Sequence, residues 1–138
     1  MGRLFLEVVT PEKITVSQEV DIVVAPGSLG EFGVLQGHVP FLTGIIGGEL
    51  RFTAGGRTEH LAVTTGFAEV SDDRVSVLVD AAELASDIDV ARAQRAIERA
   101  RERLEKSRGK EEVDTLRAEA ALKRALMRIK VAEKGGQS

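Results

Sequence analysis

Three arginines, Arg92, Arg99 and Arg103, stand seven and then four residues apart. On a helix turning 100° per residue, the second and third fall about 20° to either side of the first. A guanidinium fork matches a phosphate or a carboxylate, so this row is a candidate anion site. The alternative is a solvated basic face, which the interleaved Glu98 and Glu102 favour on spacing alone. Glycines at 27, 30, 33 and 37 form a second constellation. They do not make a phosphate loop of the nucleotide-binding kind, because neither a Lys-Ser or Lys-Thr pair nor a helix-forming segment follows. They read as turn positions needing positive φ. His38 lies inside this run, and His60 lies on an expected strand with no acid at a recognisable spacing.

Catalysis by these groups has little support. Ser17, His38 and Asp80 can be put in triad order, but no nucleophile elbow surrounds the serine. The chain has no Cys and two His, so a metal site would need carboxylates, and none shows ligand spacing. The expectation is a chain that is not an enzyme by itself and requires no metal or cofactor.

The elements that must position these residues change character near residue 80. Before it, apolar residues alternate: Leu4, Leu6 and Val8; Ile14 and Val16; Val20, Ile22 and Val24; Leu50 and Phe52; Leu61 and Val63; Val75, Val77 and Val79. A period of two is the strand signal. Turn residues separate the runs at Thr10-Pro11-Glu12, Pro26-Gly27-Ser28, Gly47-Gly48, Gly55-Gly56 and Ser71-Asp72-Asp73. Gly55-Gly56 reads as a hairpin tip. Two small packed sheets are expected, since one open sheet would leave an apolar face in water.

Ala81 to Asp87 reads as a hinge, and Asp87 or Asp89 is placed to cap a following helix. Val90, Ala93, Ile97, Ala100 and Leu104 give that helix a narrow apolar stripe. Ala118, Leu122, Ala125 and Ile129 give one to a second helix, from Glu112 to Val131. Lys106 to Lys110, with Gly109, is the turn of an antiparallel hairpin, and Lys134 to Ser138 reads as a frayed tail. The stripes are Ala-rich and bury little area at roughly 25 cal/mol per Å², so the hairpin is expected to be weakly attached.

The 138 residues are 43% hydrophobic and 30% charged, as expected of a folded soluble chain. Residues 1–84 carry 12 acidic and 5 basic side chains, and residues 85–138 carry 10 and 14, a net −7 against +4. Two domains are expected, 1–84 and 85–138. Mixed charge, five Phe and no Trp or Tyr argue against nucleic acid as a partner. No apolar run of signal-peptide length follows Arg3, and none approaches membrane-spanning length, so no direct membrane insertion is expected.

One segment is more specific than its parts. Pro26-Gly27, Gly30-Glu31-Phe32-Gly33, Gly37-His38-Val39-Pro40 and Leu42-Thr43 together resemble the signature of the epsilon subunit of bacterial F-type ATP synthase. The resemblance continues through Gly48-Glu49-Leu50-Arg51 and Gly66-Phe67-Ala68-Glu69-Val70, and takes in the C-terminal hairpin. It implies a ten-stranded β-sandwich followed by two helices, in a non-catalytic rotor part. That part would bind the gamma subunit and the membrane c-ring, at the cytoplasmic face of the inner membrane as a peripheral protein. Glu31 is then expected to face the ring and His38 to lie in the region facing gamma.

Ile88-Asp89-Val90-Ala91-Arg92-Ala93 resembles the Ile/Leu-Asp-x-x-Arg-Ala motif of ATP-binding members. By that resemblance Ile88, Asp89, Arg92 and Ala93 contact ATP, with Glu83, Arg99, Arg103, Arg124 and Arg128 as further contacts. ATP would be a regulatory ligand. A compact hairpin would leave hydrolysis free, and an extended one would enter the alpha/beta catalytic subunits and inhibit it. A free-standing nucleotide-sensing or coiled-coil adaptor with no rotor partners is the other reading of the same hairpin. The mitochondrial counterpart shares the fold, but no Arg-rich, acid-poor presequence is seen, which favours a bacterial source.

Overall fold

The computed structural model describes residues 3–106 and 112–135. Ten strands come first: β1 Leu4–Val9, β2 Ile14–Val20, β3 Ile22–Gly27, β4 Gly30–Val34, β5 Phe41–Ile45, β6 Gly48–Ala54, β7 Arg57–Val63, β8 Gly66–Ser71, β9 Arg74–Val79 and β10 Ala82–Leu84. A 3-10 turn, Ala85–Asp87, leads to the helices α1 Val90–Lys106 and α2 Glu112–Gly135.

The strands make one ladder in the order β10-β7-β6-β3-β5-β8-β9-β1-β2, with β4 paired to β3. β3 and β5 share one pair, Gly27↔Ile45, and there the ladder folds over into two layers. β1 and β9 run parallel. The layers close on a core in which Leu4, Leu6 and Val8 meet Leu50, Leu61, Val63, Val75 and Val77. A chain with few rings fills this space with Val and Leu, whose branched side chains suit a pleated surface. The Gly55-Gly56 tip joins β6 to β7 with positive φ at both glycines, as a tight hairpin requires.

Two alternation readings are corrected. Ile14 is 61% exposed although Val16 is buried. Val8 pairs with Val16 but Val9 pairs with Ile14, so a bulge at Thr15 turns the two apolar residues to opposite faces. Ile22 and Val24 are not the core face of β3, because Val23 and Ala25 are. The bend at Asp21 between β2 and β3 shifts the parity by one residue.

The helices pack on each other, and α2 lies on β7, β6 and the 3-10 turn. Asp89 is the cap of α1: its carboxylate accepts from the Arg92 amide at 3.0 Å, and its carbonyl accepts from the Ala93 amide at 3.0 Å. Ala93, Ile97 and Ala100 are buried as the stripe predicts, but Val90, at the edge of that stripe in the first turn, is 42% exposed. Ala118 and Ala125 are buried, and Leu122 and Ile129 half-buried.

The expected hinge is largely structured. Ala82–Leu84 pairs with β7, and the 3-10 turn follows at once. The expected tail is helical through Lys134 and Gly135, past the predicted end at Val131, because Val131 and Lys134 both find partners on the sandwich. The turn residues 107–110 and the terminal residues 136–138 lie outside the described residues.

Candidate functional site

Where the hairpin meets the sandwich there is a cavity of about 240 Å³. Its uncharged walls are mostly small, with Ala62 from β7, Thr64, Ala81, Ala96 from α1, and Ala121 and Ala125 from α2, and Met127 is the one large apolar side chain. Glu83, Arg124 and Arg128 supply its charge. Arg128 forks onto Glu83, with Nε to Oε1 at 2.7 Å and Nη2 to Oε2 at 2.9 Å. Both partners are half-buried, so this bidentate pair is better insulated from water than an ordinary surface pair. Arg124 stands one helical turn before Arg128 and makes no ion pair within 4.0 Å among the described residues.

The structure thus brings together Glu83, Arg124 and Arg128 of the expected ATP contacts. Arg92 and Arg99 do not line the cavity; they stand four residues before and three after Ala96, the one α1 residue that does. Arg103 lies a further turn along the same exposed row. Asp89, Ile88 and Ala93 do not line the cavity. Asp89 is committed to capping α1, Ile88 is 7% exposed and packs with Ala62, Ala85 and Val131, and Ala93 is fully buried. All three hold the start of α1 in place and so position Arg92.

Glu31 and His38 lie at opposite ends of β4. Glu31 pairs across from Pro26, near the hairpin tip where Leu29 is 95% exposed. Its carboxylate is held by Arg51, with contacts at 3.2 and 3.3 Å. His38 follows β4, and its Nδ1 is 2.7 Å from the Val39 carbonyl, which makes Nδ1 the protonated nitrogen. Its ring leans on Phe41 at 5.9 Å. The neighbouring Gly37 amide donates to Asp73 at 2.6 Å, tying this loop to the β8–β9 turn. Gly30 and Gly37 have φ of 125° and 82°, so two glycines of the run are there for their backbone, whereas Gly27 and Gly33, on strands, do not take the positive φ expected of them. Gly27 is there for close approach, since a Cβ would come within 2.8 Å of the Gly30 carbonyl. His38 and Asp80 are engaged with Val39 and Thr65, and no triad forms with Ser17 on β2.

Sequence reasoning missed a cluster around Glu49. Lys134 Nζ lies 2.7 Å from Glu49 Oε2, His60 Nδ1 is 3.4 Å from Oε1, and Arg51 Nη1 is 3.6 Å from Oε1. Burial of Glu49 raises its pKa, but Lys134 and His60 outweigh burial and hold the carboxyl below its ordinary value. The acid near His60 is two residues along β6 from Arg51, its cross-strand neighbour, a diagonal relation that only the β6–β7 register reveals. Among the described residues no group of His, Asp and Glu is arranged to hold a metal, and no helix is long and apolar enough to cross a membrane.

Comparison with known proteins covers both parts of the chain. The family profile "ATP synthase, Delta/Epsilon chain, beta-sandwich domain" matches residues 3–85, and "ATP synthase, Delta/Epsilon chain, long alpha-helix domain" matches residues 86–133. The ATP synthase epsilon chain of Nitratidesulfovibrio vulgaris (strain DP4) is 53% identical over 128 residues, covering 93% of this chain and 94% of the relative. That of Syntrophobacter fumaroxidans is 52% identical over 132 residues, covering 96% and 97%. The fold is similar to a chain in the solved structure of Euglena gracilis mitochondrial ATP synthase, with a TM-score of 0.75 and 23% identity over 99% of this chain and 82% of that one. With both domains matched and about half of the residues shared over nearly the full length, the chain belongs to the ATP synthase delta/epsilon family, as an epsilon-type, non-catalytic subunit of the F-type enzyme.

Proposed function

We propose that this subunit turns with the central stalk, joins the catalytic sector to the membrane c-ring, and restrains ATP hydrolysis through its hairpin, with ATP as the ligand that favours the docked hairpin. The observation that carries the reading is the cavity beneath the hairpin, whose small walls and arginine rim suit a flat base and a polyphosphate. The adenine would rest among Ala62, Ala96, Ala121 and Ala125, with Met127 as its one large apolar neighbour. The phosphates would lie towards Arg124, Arg92 and Arg99, which have guanidinium donors to give. A ligand touching α1, α2 and the sandwich at once binds the docked state better than the extended one, which a population shift requires.

Two further surfaces support the stalk placement. Phe67, Leu78, Val9 and Ile14 are successive cross-strand neighbours along β8, β9, β1 and β2. Phe67, Leu78 and Ile14 are 49%, 42% and 61% exposed, an apolar row on the outer face that suits contact with the gamma subunit. Leu29 and Glu31 at the β3–β4 tip suit the c-ring, and His38 lies in the second loop offered to gamma. On this reading the subunit sits at the cytoplasmic face of the membrane, and its basic hairpin, when extended, meets the alpha and beta subunits.

Calorimetric titration of the full chain with ATP tests the ligand. Saturable binding is expected, weakened about tenfold or more in Arg124→Ala and in Arg92→Ala, since each charge-assisted hydrogen bond is worth about 1.5–3 kcal/mol. Absence of heat up to millimolar ATP would remove ATP from the account.

A further inference from the structure

The cluster around Glu49 and the Glu83–Arg128 fork belong to one arrangement. Glu83 pairs across from Ala62, and Ala62 pairs across from Glu49, so the three form a single row over β10, β7 and β6. The row reads acid, small, acid. On α2, Arg128, Val131 and Lys134 read base, apolar, base, and each meets its counterpart: Arg128 on Glu83, Val131 against Ala62, Lys134 on Glu49. The spacing explains why. Three residues of helix rise about 4.5 Å, and neighbouring strands lie about 4.8 Å apart, so a helix laid across strands can keep step with one row.

We propose that this row is a latch that docks the hairpin in one register without any nucleotide, with Glu49 and Lys134 as its distal catch. Val131 is 2% exposed and sits between the two ion pairs, which keeps water from their inner sides. Beyond the row, Gly135 rests on Ala85 so closely that a Cβ there would come within 2.6 Å of the Ala85 Cβ, so the end of the helix is fitted to its seat. Glu49 is the more buried partner of the catch, at 14% side-chain exposure against 43% for Lys134. Losing Lys134 would leave that carboxylate half-desolvated with only His60 and Arg51 nearby, and Arg51 is already shared with Glu31.

The two catches divide the work. Arg128 lines the cavity and is open to capture by a ligand phosphate, whereas Lys134 lies outside the cavity lining. A ligand that draws Arg128 from Glu83 therefore leaves the distal catch to hold the register. This consequence rests on the ATP reading, but the latch itself does not, because docking is measured on the chain alone.

The chain has no Cys, so spin labels at Arg57→Cys and Lys123→Cys, both exposed, report the distance between sandwich and hairpin. Without nucleotide, a single docked distance is expected. Glu49→Lys should raise the ratio of open to docked chains at least about fivefold, the scale of losing one partly buried pair and gaining a like charge. The swapped pair, Glu49→Lys with Lys134→Glu, should restore docking, while thermal unfolding shows the sandwich intact in both variants. An unchanged distance in Glu49→Lys, or an open hairpin that the swap does not close, would overturn the latch.

Discussion

At the scale of single residues, backbone fit decides more than side-chain chemistry. Gly66 opens β8 against Val79, and a Cβ there would strike the Leu78 carbonyl and come within 2.7 Å of the Val79 Cα. Neither backbone group can step aside without breaking the β8–β9 ladder. Gly66→Ala is therefore expected to destabilise the sandwich by about 2–4 kcal/mol, read as a lower urea midpoint at unchanged slope. A midpoint within error of wild type would show that the strands adjust. This requirement was visible in the sequence only as part of the Gly66-Phe67 signature, because nothing local announces a close approach by a strand that pairs from elsewhere. The cap of α1 was the opposite case, since a carboxylate just before an apolar helical stripe is legible without tertiary information, and of the two candidates, Asp87 and Asp89, the structure selects Asp89. Ile14 shows the limit of alternation, for the bulge at Thr15 reverses its facing and has no sequence marker of its own.

At the scale of elements, the hairpin is held by one face of one helix. The Ala-rich stripes were read correctly as the seam between α1 and α2, as buried Ala93, Ala100, Ala118 and Ala125 show. The second face of α2, Arg128, Val131 and Lys134, was not read, because its partners are spread over three strands and come together only through sheet register. For the same reason the helix was ended too early. The distal catch has a pH signature. Glu49 is held below its ordinary value of 4.5 when docked, so its contribution is complete above 4.5 and is lost as pH falls through the depressed value. Docking is expected to stay constant from pH 8 to about 5 and to weaken in stronger acid, and Glu49→Gln should reduce that acid dependence, leaving the share of the Glu83–Arg128 pair. The spin-label distance measured across this range checks it. A transition centred near neutrality would assign the linkage to another group.

At the scale of the molecule, the charge split becomes a design of two bodies. A sandwich part of net −7 carries a hairpin part of net +4, and the face between them is where acids meet bases. That asymmetry, the change of period near residue 80 and the epsilon-type signature were all legible from sequence. How the cavity is walled, and that Arg124 and Arg128 rather than the Arg92 row line it, were not, because this depends on how α2 packs on the sandwich. In the proposed switch, a hairpin fixed by two partly buried ion pairs and a thin apolar strip is released without unfolding the sandwich, which frees its basic side chains for other surfaces.

The most direct test is ATP hydrolysis by the assembled synthase carrying either the full chain or one ended after Ala85. The account predicts that the shortened chain still assembles, through the sandwich surfaces, and that hydrolysis rises severalfold once the hairpin is gone. Unchanged hydrolysis in a complex that contains the shortened chain would contradict the claim that the hairpin restrains the enzyme.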